Sequence, residues 1–324
     1  MSAASDPSPP VPSTLPVVAV VGPTASGKSE LGLELAQRLG GEVVNADAMQ
    51  LYRGMDIGTA KLPPTERRGI PHHQLDVLDV RAEASVAAYQ RAARADLAAI
   101  RERDALPLLV GGSGLYVRAA LDRLEIPPTD PAVRQHFEGE LARWGARAMH
   151  ARLGRLDPTA AEQIEPANGR RLVRALEVIT LTGRPFSATM PAREFVAPTV
   201  VLGLRVPREE LDERIGRRVE RMWAAGLLDE VRELDRQGLR EGRTASKALG
   251  YREALAHLGG ELSAQEAQEQ TATATRRLAR RQQSWFRPDP RITWLGHDDP
   301  KLVDRALEAV RRAAQEGTTM GRDD

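Results

Sequence analysis

The chain has no cysteine among its 324 residues. That excludes a disulfide framework, a thiolate zinc site and a cysteine nucleophile. Lysine is nearly absent too: it occurs only at 28, 61, 247 and 301, so 42 of the 46 basic residues are arginine. A GC-rich genome accounts for that bias. With 45 acidic residues the net charge is only +1, so the arginines do not by themselves announce nucleic acid. The bias does single out each of the four lysines. No run of about 18 apolar residues is present to span a bilayer. The first 16 residues lack the basic start and apolar core of a signal peptide, and the expectation is a cytoplasmic protein with no membrane contact. A hydrophobic share of 41% with 28% charged residues excludes disorder throughout. The length predicts one large domain carrying an insertion, or two domains.

Residues 1–15 are rich in serine and proline and read as a disordered leader. VVAVV (17–21) then reads as a buried strand stopped by Gly22 and Pro23. Leu31, Leu35 and Leu39 predict a helix from about Ser26, ended by Gly40-Gly41. A short strand over 42–45, a helix over 85–101 and a strand over 107–112 follow. Strand–helix alternation with continuous apolar strands predicts a parallel sheet in an α/β fold. From about 127 to 182 the periodicity is helical, and TVVLGLRV (199–206) restores a strand. The expected division is a core over 16–121, a helical insertion over 122–198, a resumed core over 199–314, and a flexible tail over 315–324. Within the second core part, 211–236 and 265–286 each predict one long helix, and RITWL (291–295) a last strand. The Met and Trp positions read as core.

Gly22-Pro23-Thr24-Ala25-Ser26-Gly27-Lys28-Ser29 matches the P-loop pattern in its required setting, strand before and helix after. Such a loop is an anion cradle: its amides and the helix N-terminus face phosphate oxygens. Lys28 neutralises the distal phosphate, and the Ser29 hydroxyl is placed to bind Mg²⁺. A P-loop ATPase or GTPase also holds magnesium with a carboxylate ending a second strand. Here the strand at 107–112 runs into Gly111-Gly112-Ser113 with no acid. The strand at 42–45 does lead to one, Asp47. On the residues alone Asp47 fits three roles: magnesium ligand, general base, or turn residue. Asp47 and Ser113 both belong at the carboxyl edge of the sheet, where open α/β sheets bind ligands.

GPTASGKS, ADAMQLYRGMDIGTAK, LLVGGSGLY, RRLVRALEV, RMWAAGL and KALGYRE, in this order over residues 17–295, resemble the tRNA dimethylallyltransferases. The resemblance implies a P-loop nucleotide-kinase-like core with an inserted all-helical domain that grips the anticodon arm of tRNA. It implies transfer of a dimethylallyl group from dimethylallyl diphosphate to N6 of the adenosine at position 37, beside the anticodon. The tRNAs are those reading codons that begin with U. It implies a Mg²⁺ cofactor and a monomer. The P-loop then holds the diphosphate of the donor, which explains the absent second carboxylate: no water has to be aimed at a γ-phosphate.

By the same resemblance Asp47 is the general base, with Ser113 and Arg218 beside it in catalysis. Ser113 stands where many relatives carry threonine, and Ala48 replaces a frequent serine. Arg214, Arg218 and Arg221 share a helix face of about 60°. The resemblance sets Arg218 on the departing diphosphate, and the other two read as solvated surface. The tRNA-contacting set it implies is Asp47, Ala48, Met49, Gln50, Ser113, Arg134, Arg170, Arg171, Leu172, Val173 and Arg174, with Lys247, Ala248, Leu249, Gly250, Tyr251 and Arg252. The basic stretch TRRLARRQQSWF (275–286) invites a nucleic-acid reading, but Leu278 and Trp285 read as core, so it is left out of the site. His72-His73 reads as no metal site, since neighbouring histidines diverge and no cysteine or third histidine is near. Two other readings remain, a small-molecule kinase and a non-catalytic RNA-binding scaffold. The sequence MQLYRGMDIGTAK after Asp47 has no part in phosphoryl transfer, and retention of Lys28, Ser29 and Asp47 argues against a bare scaffold.

Overall fold

The computed structural model describes residues 15–189 and 193–320. Apart from Leu15, the expected leader lies outside the described residues, as do the last four residues of the expected tail. The described chain divides into two compact units, one formed by Asp122–Val196 and one by the residues on either side of it. In chain order the first elements are β1 (Val17–Val21), α1 (Lys28–Leu39), β2 (Gly41–Asn45), β3 (His72–His73), α2 (Val86–Glu102), β4 (Leu106–Gly111) and α3 (Gly114–Leu121). The segment between holds α4 (Pro131–Leu156), α5 (Pro158–Gln163) and α6 (Gly169–Thr182). There follow β5 (Thr199–Arg205), α7 (Arg208–Ala224), α8 (Leu227–Arg236), α9 (Tyr251–Leu258), α10 (Ala264–Phe286), β6 (Ile292–Gly296) and α11 (Leu302–Met320).

The larger unit is built on one six-stranded sheet in the order β3-β2-β4-β1-β5-β6, with every pair parallel. Strands β1 and β4 are buried along their whole length. Apolar side chains on both faces require cover on both faces, which crossover helices supply. Strand β1 sits between β4 and β5, and such a switch in strand order opens a crevice at the strands' carboxyl ends. The register sets Val21 beside Gly111 and Asn45 beside Val110. The turns after β1, β2 and β4 therefore emerge side by side. A Cβ at Gly111 would lie 2.3 Å from the Ala46 backbone, so only glycine lets the ends of β2 and β4 close up.

Several details depart from the sequence reading. Strand β3 pairs just His72 and His73 with Val43 and Val44, too short a run to show a period. The helix expected over 211–236 is two, α7 and α8, because Gly226 adopts φ 97° between them, a left-handed turn that glycine makes at little cost. Helix α11 continues to Met320, past the point where fraying was expected. Trp144 and Trp285 are not core: they are 58% and 39% exposed. The Trp285 ring packs against Gly114 of α3, where a Cβ would fall 2.0 Å from it. Arg214 is not solvated surface either, since it bonds Glu210 and the His297 ring at 2.9 and 3.0 Å.

The smaller unit packs α4, α5 and α6 around Phe137, Met149, Leu153, Leu172 and Leu176. Asp130 caps α4 by accepting from Ala132 and Val133 N–H, with Pro131 at the first helical position, where its missing N–H costs nothing. A carboxylate is buried here. Glu177 accepts from Arg134 Nη2 at 2.8 Å, Arg174 Nη1 at 2.9 Å and Asp130 N–H at 3.1 Å. Burial alone pushes its pKa up, but the bonds from Arg134 and Arg174 outweigh it and hold the carboxyl below its ordinary range. Glu177→Ala removes the buried acceptor that Arg134 and Arg174 share and should cost about 2 kcal/mol, read as an earlier denaturation of this unit by amide hydrogen exchange.

Candidate active site

The P-loop spans the gap from β1 to α1. Gly27 holds φ 93° and no side chain caps the helix start, so the first-turn amides are left for an anion. Ala25 sits at φ 62°, a left-handed conformation that costs an alanine roughly 1–2 kcal/mol and recurs at ligand clamps. Ser26 Oγ is buried with no hydrogen-bond partner. Lys28 Nζ donates to the Pro23 carbonyl at 2.6 Å, folding its side chain back over the loop, while Ser29 is exposed.

Asp47 is held by its neighbour Asn45. The buried Asn45 side chain accepts from Asp47 N–H at 3.0 Å and donates to the Asp47 carbonyl at 2.9 Å. Asn45 Nδ2 also donates to the Gln74 carbonyl at 3.0 Å. Asp47 Oδ1 then accepts from Met49 N–H at 2.9 Å, which fixes the carboxylate in one rotamer. Ser113 is tied to the same turn: its N–H donates to the Ala46 carbonyl at 3.2 Å and its Oγ accepts from Ala48 N–H at 3.3 Å. Arg218 of α7 donates to the Thr59 carbonyl at 3.1 Å. Lys28, Ser29, Asp47, Arg218, Gln50 and Gln282 line one open cleft. Its apolar wall is Val43, Leu62, Leu75 and Val110. His72 also lines it, and burial lowers its pKa, which keeps the ring neutral. Its Nδ1 lies 2.8 Å from the Ile70 carbonyl.

The electrostatics show what the cleft favours. Burial lowers the Lys28 pKa to about 8, with repulsion from Arg218 adding to it and attraction from Asp47 opposing it. Burial likewise lowers Arg218. Two half-buried cations on one cleft favour an anion as its ligand. Below pH 8 Lys28 is charged and ready; above it the ammonium empties. Inorganic pyrophosphate should therefore bind progressively more weakly as pH rises past 8, by up to about tenfold per unit, as read by calorimetric titration. The folded chain binds fewer protons here than the unfolded one between pH 8 and 10.5, so this group's contribution to ligand-free stability rises with pH over that window.

Gln282, from the stretch left out of the site, belongs to it. Its Oε1 accepts from Thr24 N–H at 2.8 Å and a Cβ at Gly112 would meet its amide at 2.5 Å. Pattern reading passed over it because its neighbours are arginines and Trp285. Arg277, Arg280 and Arg281 of the same stretch are exposed. Among the other expected RNA contacts, Arg170, Arg171, Lys247 and Arg252 are exposed, while Ala248 and Gly250 are buried and Leu249 half-buried. Leu172 and Val173 are core, and Tyr251 is fully buried, so those three side chains face the protein and not a ligand. Arg134 and Arg174 are engaged by Glu177. Arg174 also donates to the Pro127 and Pro128 carbonyls at 2.8 and 2.9 Å. A helical wheel shows a shared face but not that a buried acid claims it.

A parallel α/β sheet whose P-loop shares one cleft with two cations and a carboxylate places this chain among the P-loop α/β proteins. Residues 50–289 match the family model described as IPP transferase, and residues 15–83 the one described as isopentenyl transferase. A tRNA dimethylallyltransferase of Streptomyces avermitilis is 63% identical over 299 residues, which cover 91% of this chain and 96% of that protein. Its counterpart in Thermobifida fusca is 60% identical, covering 91% and 94%. The solved tRNA isopentenylpyrophosphate transferase of Bacillus halodurans has a TM-score of 0.71 at 38% identity, covering 94% of this chain and 99% of that one. A eukaryotic dimethylallyltransferase acting on tRNA has a TM-score of 0.78 at 26% identity, covering 95% and 80%. The chain belongs to the IPP transferase family, the tRNA dimethylallyltransferases.

Proposed function

We propose that this enzyme transfers a dimethylallyl group from dimethylallyl diphosphate to N6 of adenosine 37 in tRNAs that read codons beginning with U. The carrying observation is the pairing, in one cleft, of a rotamer-locked Asp47 with the Lys28–Arg218 cation pair. N6 attacks the allylic carbon, a C–N bond forms, and the C–O bond to the diphosphate breaks with its electron pair leaving on oxygen. Asp47 accepts the N6 proton, a task worth about 10²–10⁴-fold. The P-loop amides, Lys28 and Arg218 take up the charge that develops on the leaving group. Ser113 Oγ, from the neighbouring turn and bonded to the Ala48 amide next to Asp47, is a hydroxyl for the base or the phosphate. The apolar wall receives the five-carbon tail.

Among the described residues no three His, Asp or Glu side chains gather as a metal cage. Mg²⁺ needs none: it keeps several waters and takes phosphate oxygens with one or two protein ligands. Ser29 on this cleft is the one protein oxygen such a site would use, and Mg²⁺ bound there would neutralise diphosphate charge. The enzyme acts as a cytoplasmic monomer in this reading, and among the described residues no helix is long and apolar enough to cross a membrane.

The anticodon arm is gripped by the exposed arginines of α6, Arg170 and Arg171. Charge reversal at Arg170 and Arg171 should weaken tRNA binding and lower the slope of log K against log salt by about 0.9 or less per lost phosphate contact. Pyrophosphate affinity should be unchanged. Salt-dependent filter binding measures it, and an unaltered slope sets these residues aside. The reaction itself is tested with purified enzyme, dimethylallyl diphosphate and unmodified tRNA. Mass analysis of the digested nucleosides should show dimethylallyladenosine, and an ATP-dependent phosphorylated product in its place would favour the kinase.

A further inference from the structure

Glu230, in the first turn of α8, reaches the 56–60 loop. Its Oε2 accepts from Ile57 N–H at 2.7 Å and Asp56 N–H at 3.2 Å, and its Oε1 from Gly58 N–H at 3.2 Å. Three successive amides converge on one carboxylate, the arrangement of a backbone anion nest filled by the protein's own acid. Tyr251 O–H donates to Glu230 Oε1 at 2.5 Å. Gly58 rests on the Tyr251 ring so closely that a Cβ there would lie 2.4 Å from it. One residue further along, the Thr59 carbonyl accepts from Arg218 Nη2 at 3.1 Å and Gln50 Nε2 at 3.2 Å. The loop is thus held at opposite poles, its amides by a carboxylate and its next carbonyl by a guanidinium. The turn at Gly226 is what brings Arg218 of α7 and Glu230 of α8 onto the same loop.

We propose that Glu230, locked by Tyr251, is a positioning residue for Arg218: it fixes the Thr59 carbonyl against which the guanidinium is aimed into the cleft. This rests on the reading of Arg218 as a ligand of the departing diphosphate. Glu230 does not touch the substrate. Arginine carries many rotamers, and an anchored acceptor selects the one that points at the phosphate. A rigid second layer of this kind keeps a charged group within the tolerance that transfer chemistry needs.

The test is a double-mutant cycle in single-turnover dimethylallyl transfer, with Glu230→Gln, Arg218→Ala and both together. Glu230→Gln keeps the shape but sets an NH₂ against backbone N–H groups. It should slow transfer about 10- to 100-fold and weaken pyrophosphate binding, with tRNA affinity unchanged. In the Arg218→Ala background it should do nothing further, because the group it positions is gone. Tyr251→Phe should act in the same direction, more weakly, and should also be silent in that background. A wild-type rate for Glu230→Gln, or effects that multiply with Arg218→Ala, would overturn the proposal. A wild-type rate for Arg218→Ala alone would overturn the diphosphate reading beneath it as well. If Glu230→Gln unfolds at the assay temperature, Tyr251→Phe decides by the same criterion.

Discussion

Replacing Asp47 with asparagine should slow dimethylallyl transfer by about 10²–10⁴-fold while tRNA and diphosphate affinities change little. The side chain keeps its shape, and its oxygen still accepts from Met49 N–H, the contact that fixes Asp47 in the native enzyme at 2.9 Å. The Asn45 clamp on the backbone of residue 47 is untouched, so the turn stays where it is. Only the capacity to take the N6 proton is lost. The measurement is single-turnover transfer at low and high magnesium. A magnesium-ligand role would show as rescue by added Mg²⁺, and a turn role as a normal rate with altered stability. Either result would remove Asp47 as the base.

Lys28→Ala is expected to act in two directions at once. Its ammonium meets the leaving diphosphate, and losing one preorganised donor there costs about 3 kcal/mol of transition-state stabilisation, roughly a hundredfold. In the empty enzyme the same ammonium is a burden, because burial and Arg218 both disfavour its charge. The ligand-free variant should therefore melt no lower than the parent, and its stabilisation by pyrophosphate should shrink. This trade of stability for function is the signature of a group held for a ligand. Differential scanning fluorimetry with and without pyrophosphate reads both effects, and a large loss of ligand-free stability would mean that Lys28 serves the fold instead.

Local signals carried the core of the site. The eight residues from Gly22 to Ser29 declare their chemistry by spacing, and the continuous apolar runs of β1 and β4 declare a parallel sheet buried on both faces. Asp47 stood out as an acid where a strand ends. The missed pieces depend on contacts distant in sequence. Gln282 meets Thr24 across 258 positions, and Glu230 meets the amides of residues 56–58 across more than 170. Neither leaves a periodic trace. Lys61 is one of the rare lysines and ends the ADAMQLYRGMDIGTAK motif. It is a buried staple whose Nζ donates to Asp56 and Asp76 at 2.6 Å and to the Tyr52 carbonyl at 2.8 Å. Arg174 is among the tRNA contacts that the family resemblance implies, but a buried Glu177 on the same helix claims it. Charge on a helix face does not say whether its partner lies outside the protein or beneath it.

The account as a whole turns on one product. Bulk tRNA from cells lacking this gene, digested to nucleosides and analysed by mass spectrometry, should have lost N6-dimethylallyladenosine and its derivatives. The chain supplied on a plasmid should restore them, and its Asp47→Asn form should not. An unchanged level of that nucleoside in the deleted cells, or full restoration by the Asp47→Asn form, would contradict the account.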